Sequence, residues 1–289
     1  MDSAIFRSVK LDDVEVHKTF SQRPSDAEGP SNHALLLAEL GLNPEQVLSP
    51  SLGSGGIVTV ISSEDDIQFH QEKGRLQPVG NDGSADGWII TDKSLVKKLA
   101  FEGAVADCPM VTAEFYDTKG SLVATGGLHA GFRNIASGIL TNFVQQAKKS
   151  IGDLSVAEIY VGPGAKTLEV PIATIEKCDQ PDDLLNAACN RRLTEIERGS
   201  GFDSETILLD SVESTASILK KELRKVRVEG SVDSSFTDTT EDSTFHSHRI
   251  DGRHGSTQAG IDRPEAGRFV VLYHPDIRNA SNNFDAIPV

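Results

Sequence analysis

Residues 104–135 constrain this chain more than any other stretch. Two apolar runs, 104–115 and 121–128, read as strands, and the polar residues Asp117, Lys119 and Gly120 mark a turn between them. Cys108 lies on the first run, between Asp107 and Pro109, and His129 closes the second. Gly131 and Arg133 follow. The spacing of Ile135, Ile139, Leu140, Phe143, Val144 and Ala147 then predicts a helix with Asn134 as its N-cap. A thiol and an imidazole thus fall on strands that are candidates for neighbours. The arginine stands at a helix start, where backbone N–H groups favour anions. The combination suits chemistry on a substrate that carries or meets a phosphate or carboxylate.

Elsewhere the elements are simpler. Val14–His17 and Thr19–Phe20 alternate like edge strands, 24–32 is a linker, and 33–42 has the pattern of a short helix. IVTVI at 57–61 and IQFH at 67–70 read as strands, as do the runs before and within IYVGPGAKTLEV. Residues 181–198 predict an amphipathic helix stopped by Gly199, and 205–228 a longer one with Leu208, Val212, Ile218, Leu219, Leu223 and Val226 inward. Residues 231–244 read as a polar connection, GRFVVLYH at 267–274 as a strand, and the end of the chain as a tail.

The net charge of −15 argues against nucleic acid as the main partner and fits a solvated surface. No apolar run reaches the length of a membrane span, and the first residues lack the basic start and apolar stretch of a signal peptide. The three cysteines, Cys108, Cys178 and Cys189, have no C-x-x-C spacing. The expectation is a cytoplasmic protein, monomer or homodimer, with no membrane partner and with Cys108 kept reduced. At 289 residues the chain is read as one domain.

The strings ADCP (105–109 region), HAGFR (129–133) and GPG (162–164) resemble those of the laccase-domain family, first called polyphenol oxidases or multicopper oxidoreductases. The family strings are ADC-x-P, HAGWRG and GPGIG. FHSHRIDG at 245–252 and GRFVVL at 267–272 extend the likeness, which covers roughly 68–272 and is weak over 1–67. The resemblance implies an α+β fold: a single-domain, four-layer α/β/β/α sandwich with two mixed sheets. It implies a metal-dependent purine nucleoside enzyme, with phosphorolysis of adenosine- or inosine-type nucleosides and adenosine deamination as its reactions.

The implied metal set is His70, Cys108 and His129 on zinc, with copper as the alternative. Three protein ligands and an open position make a catalytic zinc, and the metal lowers the pKa of bound water to about 7. In the family a strand carrying QVHG supplies the first histidine. Gln68-Phe69-His70 keeps both the Gln and the His at a fitting distance from Cys108; a second alignment, on SLGSGGIVTV, puts Gly53 at the histidine position. The implied catalytic residues are Cys108, His129 and Arg133, and Arg133, Ser247 and Arg249 are the implied contacts to purine nucleoside and phosphate. Asp107 and Asp251 are candidates for orienting ligands. His246 and His248 form an H-x-H pair. Phe132 replaces the family's Trp, Asn134 its Gly, and the cysteines usual after GPGIG are missing. Three other readings stand beside the first: a copper polyphenol oxidase, against which eight scattered histidines weigh; a metal-free Cys–His hydrolase; and an inactive relative that keeps the fold.

Overall fold

The computed structural model describes residues 4–11, 14–21, 43–53, 55–71, 75–80, 83–96, 98–105, 107–194, 205–235, 238–239 and 269–274. Its frame is two mixed sheets. The first contains β1 (Ala4–Leu11), β2 (Val14–Ser21), β3 (Val47–Leu48), β5 (Ile67–His70), β6 (Arg75–Pro78), β8 (Ala100–Val105) and β16 (Phe269–His274), in the order β1-β2-β16-β8-β3-β6-β5. The second contains β4 (Val58–Ile61), β7 (Gly87–Ile90), β9 (Met110–Asp117), β10 (Leu122–His129), β11 (Leu154–Val161) and β15 (Glu229–Ser234), in the order β15-β11-β9-β10-β7-β4. A small antiparallel sheet joins β12 (Leu168–Pro171), β14 (Thr206–Leu209) and β13 (Arg191–Arg192).

Side-chain alternation divides the core between two layers. Trp88 and Ile90 of β7 face the first sheet and pack with Phe101, Val105 and Met110, whereas Ile89 faces the other way. The Trp88 and Phe101 rings meet edge to face at 5.3 Å. On the opposite face Val111, Ala113, Phe115 and Leu128 pack against α3 (Ile139–Ser150) and α6 (Ser211–Lys225). Phe143 of α3 is fully buried there, worth about 2–3 kcal/mol of apolar transfer. The paired glycines of β10 belong to this arrangement. A Cβ on Gly126 would fall 2.9 Å from the Phe143 ring, and one on Gly127 would fall 2.7 Å from Phe101. Their absence lets both layers close on the middle of the sheet. The fold is the expected α+β sandwich of two mixed sheets with helices outside.

Four expected elements differ. The helix read from Ile135 is two: α2 (Phe132–Ala136) ends, the chain turns through Gly138 at φ +83°, and α3 begins. The apolar period survives because Ile139, Leu140, Phe143, Val144 and Ala147 all remain inward. The helix read over 181–198 stops at Leu185 (α5, Pro181–Leu185), and Arg191–Arg192 pairs with β14. The helix read over 205–228 starts only at Ser211, so Leu208 lies on β14. The Asp210 carboxylate caps α6 by accepting from the Glu213 N–H at 2.8 Å. Residues 231–234, read as part of a polar connection, run parallel to β11 as the end of β15. The helix read over 33–42 and the strings at 22–32 and 245–252 lie outside the described residues.

Candidate active site where the chain crosses between the sheets

Cys108 is not on a strand. β8 belongs to the first sheet and β9 to the second, and Cys108 sits in the short passage between them. The reason is local: Pro109 cannot donate to a ladder, and the chain must leave one sheet for the other. Three segments hold the corner. The Ala130 N–H donates to the Pro109 carbonyl at 2.9 Å, the Ala165 N–H to the Asp107 carbonyl at 2.8 Å, and the Gly162 N–H to the Met110 carbonyl at 2.8 Å. Gly164 packs so closely that a Cβ there would lie 2.9 Å from Pro109 Cδ and 3.1 Å from the Asp107 carbonyl oxygen. ADCP, HAG and GPG, scattered in sequence, thus form one corner.

His129 ends β10 opposite Met110, and its N–H donates to the Asp86 carbonyl at 2.7 Å. Its Nδ1 is buried. Its Nε2 and the Cys108 Sγ converge on Gly131: a Cβ at that residue would lie 3.2 Å from Sγ and 3.4 Å from Nε2. A side chain larger than hydrogen would press on both. Cys108 and His129 are each half-buried, so the notch opens toward solvent. Arg133, one turn into α2, is exposed, with its guanidinium 5.6 Å from the Phe132 ring centre. Cys108 and His129 are thus brought together, and Arg133 follows in the first turn of α2 with its side chain exposed.

His70 is not gathered with them. It closes β5, the outer strand of the first sheet, and its Nε2 lies 3.0 Å from the Gln68 carboxamide nitrogen. The segment that reaches the notch is 53–57. β4 follows it and pairs in parallel with β7, Val58 opposite Gly87. The Asp86 carboxylate, 2% exposed, accepts from the N–H groups of Gly53 at 2.7 Å, Gly55 at 3.1 Å and Ile57 at 3.3 Å. Buried Asn134 reaches the same segment, its Nδ2 donating to the Gly53 carbonyl at 3.4 Å. Residues 62–86 leave β4, run through β5 and β6 in the first sheet and return to β7. The His70 alignment puts the first ligand on this excursion, and the alignment on Gly53 puts it on the segment before β4. The rhythm of SLGSGGIVTV was the signal for it.

Asn134 is correspondingly not an N-cap but a residue inside α2, whose N-cap is Gly131. Asp107 accepts from Thr239 Oγ1 at 3.1 Å and ties the corner to the segment after β15. Ser247, Arg249, Asp251 and the H-x-H pair His246 and His248 lie outside the described residues. The other cysteines are remote: Cys178 Sγ donates to the Thr174 carbonyl at 3.8 Å, and burial, helped by Asp210 and Glu213, pushes the Cys189 thiol pKa up.

A sandwich of two mixed sheets with a thiol and an imidazole converging at the crossover between them is the class that fold and site define. The chain belongs to the family described as multi-copper polyphenol oxidoreductase laccase, whose profile matches residues 19–263. Solved structures share the fold. A Neisseria meningitidis protein of the DUF152 family matches at 21% identity and TM-score 0.58, covering 94% of this chain and 99% of its own. The hypothetical protein YfiH of Bacillus licheniformis matches at 17% identity and TM-score 0.60, over 93% and 98%. YlmD of Geobacillus stearothermophilus matches at 15% and 0.60, over 95% and 100%. No curated protein matches the chain. The group is of the metal-binding purine nucleoside phosphorylase or polyphenol oxidase type.

The family name implies a metal, and the donors decide how well one fits. Sγ and Nε2 around Gly131 are two soft donors on one side of a notch. Among the described residues no group of three or more His, Cys, Asp or Glu side chains is placed to hold a metal ion. Asp86 is committed to three backbone N–H groups. The three-donor centre expected from His70, Cys108 and His129 is therefore not formed by the described residues. No helix among them is long and apolar enough to cross a membrane.

Proposed function

We infer that the chain turns over purine nucleosides at the Cys108–His129 notch, with phosphorolysis of adenosine- or inosine-type substrates as the reaction. The observation that carries the reading is the convergence of Sγ and Nε2 on Gly131 in a chain of this family. Zinc or copper at the notch would have Cys108 and His129 as protein ligands and would supply Lewis acidity.

The residues have separate tasks. Arg133, exposed and always charged, holds phosphate in two-point contact. A phosphate oxygen then forms a bond to the ribose C1′ as the bond from C1′ to the purine nitrogen breaks. The bonding electrons leave with the base, and a proton delivered by the His129 imidazolium neutralises it. The Cys108 thiol, beside the imidazole at Gly131, limits how close the base approaches. His129 regains its proton from the bound phosphate. Adenosine deamination would place water, not phosphate, at the base and release ammonia.

A second reading, an inactive relative that binds nucleoside without converting it, is favoured by the position of His70 on the outer strand. One experiment separates the two. The purified wild type and Cys108→Ala are assayed with adenosine, and with inosine plus phosphate, and the zinc and copper of each are measured by mass spectrometry. Hypoxanthine, adenine or ammonia released by wild type alone supports turnover at the notch. Nucleoside that raises the melting temperature without any product supports the second reading. Neither binding nor product removes the nucleoside assignment.

A further inference from the structure

α2 and α6 begin differently. At α6 the N-cap is Asp210, whose carboxylate accepts from the Glu213 N–H. At α2 the N-cap is Gly131, and no side chain there caps the helix. Ser, Asp and Asn are preferred at this place, because a side-chain oxygen accepts from one of the free N–H groups of the first turn. Glycine supplies no such oxygen.

The backbone does not require glycine at 131 either. Its φ of −64° and ψ of 149° are extended values open to any residue. Gly138, which leads into α3 at φ +83°, is the contrasting case. What distinguishes position 131 is the space around it. Gly131 is buried. The three atoms nearest to a Cβ there are Cys108 Sγ at 3.2 Å, His129 Cε1 at 3.3 Å and His129 Nε2 at 3.4 Å. All three belong to the thiol and imidazole side chains of the notch. A methyl group at 131 would therefore displace the thiol, the ring or both.

We propose that Gly131 is a positioning residue for the notch. Its bare Cα lets the Cys108 thiol and the His129 imidazole close on one point, and α2 forgoes a side-chain cap for that approach. The inference takes the chemistry of the site from the reading above, but the approach of the two groups is tested without substrate.

Full-length Gly131→Ala, Gly131→Ser, Cys108→Ala, the Gly131→Ala/Cys108→Ala double variant and Gly152→Ala are compared with wild type. A Cβ on Gly152 meets nothing within 4 Å, so Gly152→Ala is the control. Melting curves come first. Gly131→Ala is expected to lower the melting temperature, and to lower it less once Sγ has been removed, because residues in contact are not additive. The second readout is the rate at which iodoacetamide alkylates Cys108, followed by mass spectrometry of its peptide. Gly131→Ser improves the helix cap, so a purely helical role predicts an unchanged thiol. The positioning role predicts severalfold slower alkylation in folded Gly131→Ser and Gly131→Ala, and the wild-type rate in Gly152→Ala. Turnover of inosine plus phosphate should fall about tenfold in kcat, with KM changed less. A double variant that folds where Gly131→Ala alone does not would support the proposal. Equal losses of melting temperature in the two backgrounds would overturn it, as would a double variant that fails to fold. Wild-type alkylation in folded Gly131→Ser would overturn it equally. A wild type that converts no nucleoside removes the reading above and leaves melting and alkylation to decide this one.

Discussion

Two segments of this chain compete for the place of the missing histidine, and they differ in what holds them. Gly53, Gly55 and Ile57 are exposed yet tethered: their N–H groups converge on the one buried carboxylate of Asp86, and β4 continues into the sheet that carries His129. Residues 67–70 are held on one side only, by β6, and Phe69 is 37% exposed beside half-buried His70. Both segments adjoin an edge strand, β4 in one sheet and β5 in the other, and only the second carries a histidine. Ligand identity and backbone position are separable in sequence. Only pairing between strands shows which of them a fold has kept.

The largest effect is expected at Asp86. Asp86→Ala leaves the N–H groups of Gly53, Gly55 and Ile57 without their buried acceptor and should cost about 3 kcal/mol, seen as a lower denaturation midpoint. A loss under about 0.5 kcal/mol, the range of ordinary surface changes, would mean that the anchored segment is not anchored. Next comes Gly164→Ala. Its Cβ would meet backbone and ring atoms of Pro109 and Asp107, which have little freedom to retreat. Overpacking of this kind costs about 1–3 kcal/mol, and turnover should fall with it because the same corner sets Cys108. Unchanged turnover in a destabilised variant would separate the corner from the chemistry.

The segment around β5 should respond weakly. Asp66, just before β5, is held below its ordinary value of 3.8, chiefly by the Ser62 N–H and then by the Ser62 hydroxyl. A carboxylate with a depressed folded-state pKa contributes stability that is present above 3.8 and lost as pH falls through the lower folded value. Melting curves of wild type and Asp66→Asn should therefore differ slightly at neutral pH and merge in acid. A gap that widens in acid would reverse the assignment. His70→Ala should be the mildest, within about 0.5 kcal/mol of wild type and with zinc content unchanged.

The two runs flanking the Asp117 turn could be read from sequence because they are apolar, rich in strand-forming residues and bounded by a polar turn. The helical face of 139–147 was equally plain. What escaped reading depends on contacts between distant residues. Asp210 marks the start of α6, yet the apolar residues of 206–209 continue the helical pattern into a strand. Gly138 breaks a helix whose period never falters. Cys108 and His129 were found because their strings are distinctive. The alternatives for the first histidine position, His70 and Gly53, lie on segments that join different sheets, and spacing along the chain does not show which sheet a segment joins.

The decisive comparison is turnover of inosine plus phosphate, and of adenosine, by Cys108→Ala and His70→Ala side by side, with folding of both confirmed by melting. The notch as described predicts that Cys108→Ala loses product formation and His70→Ala keeps it. Loss of activity in His70→Ala, with Cys108→Ala still active, would contradict the assignment of the site to the crossover between the sheets.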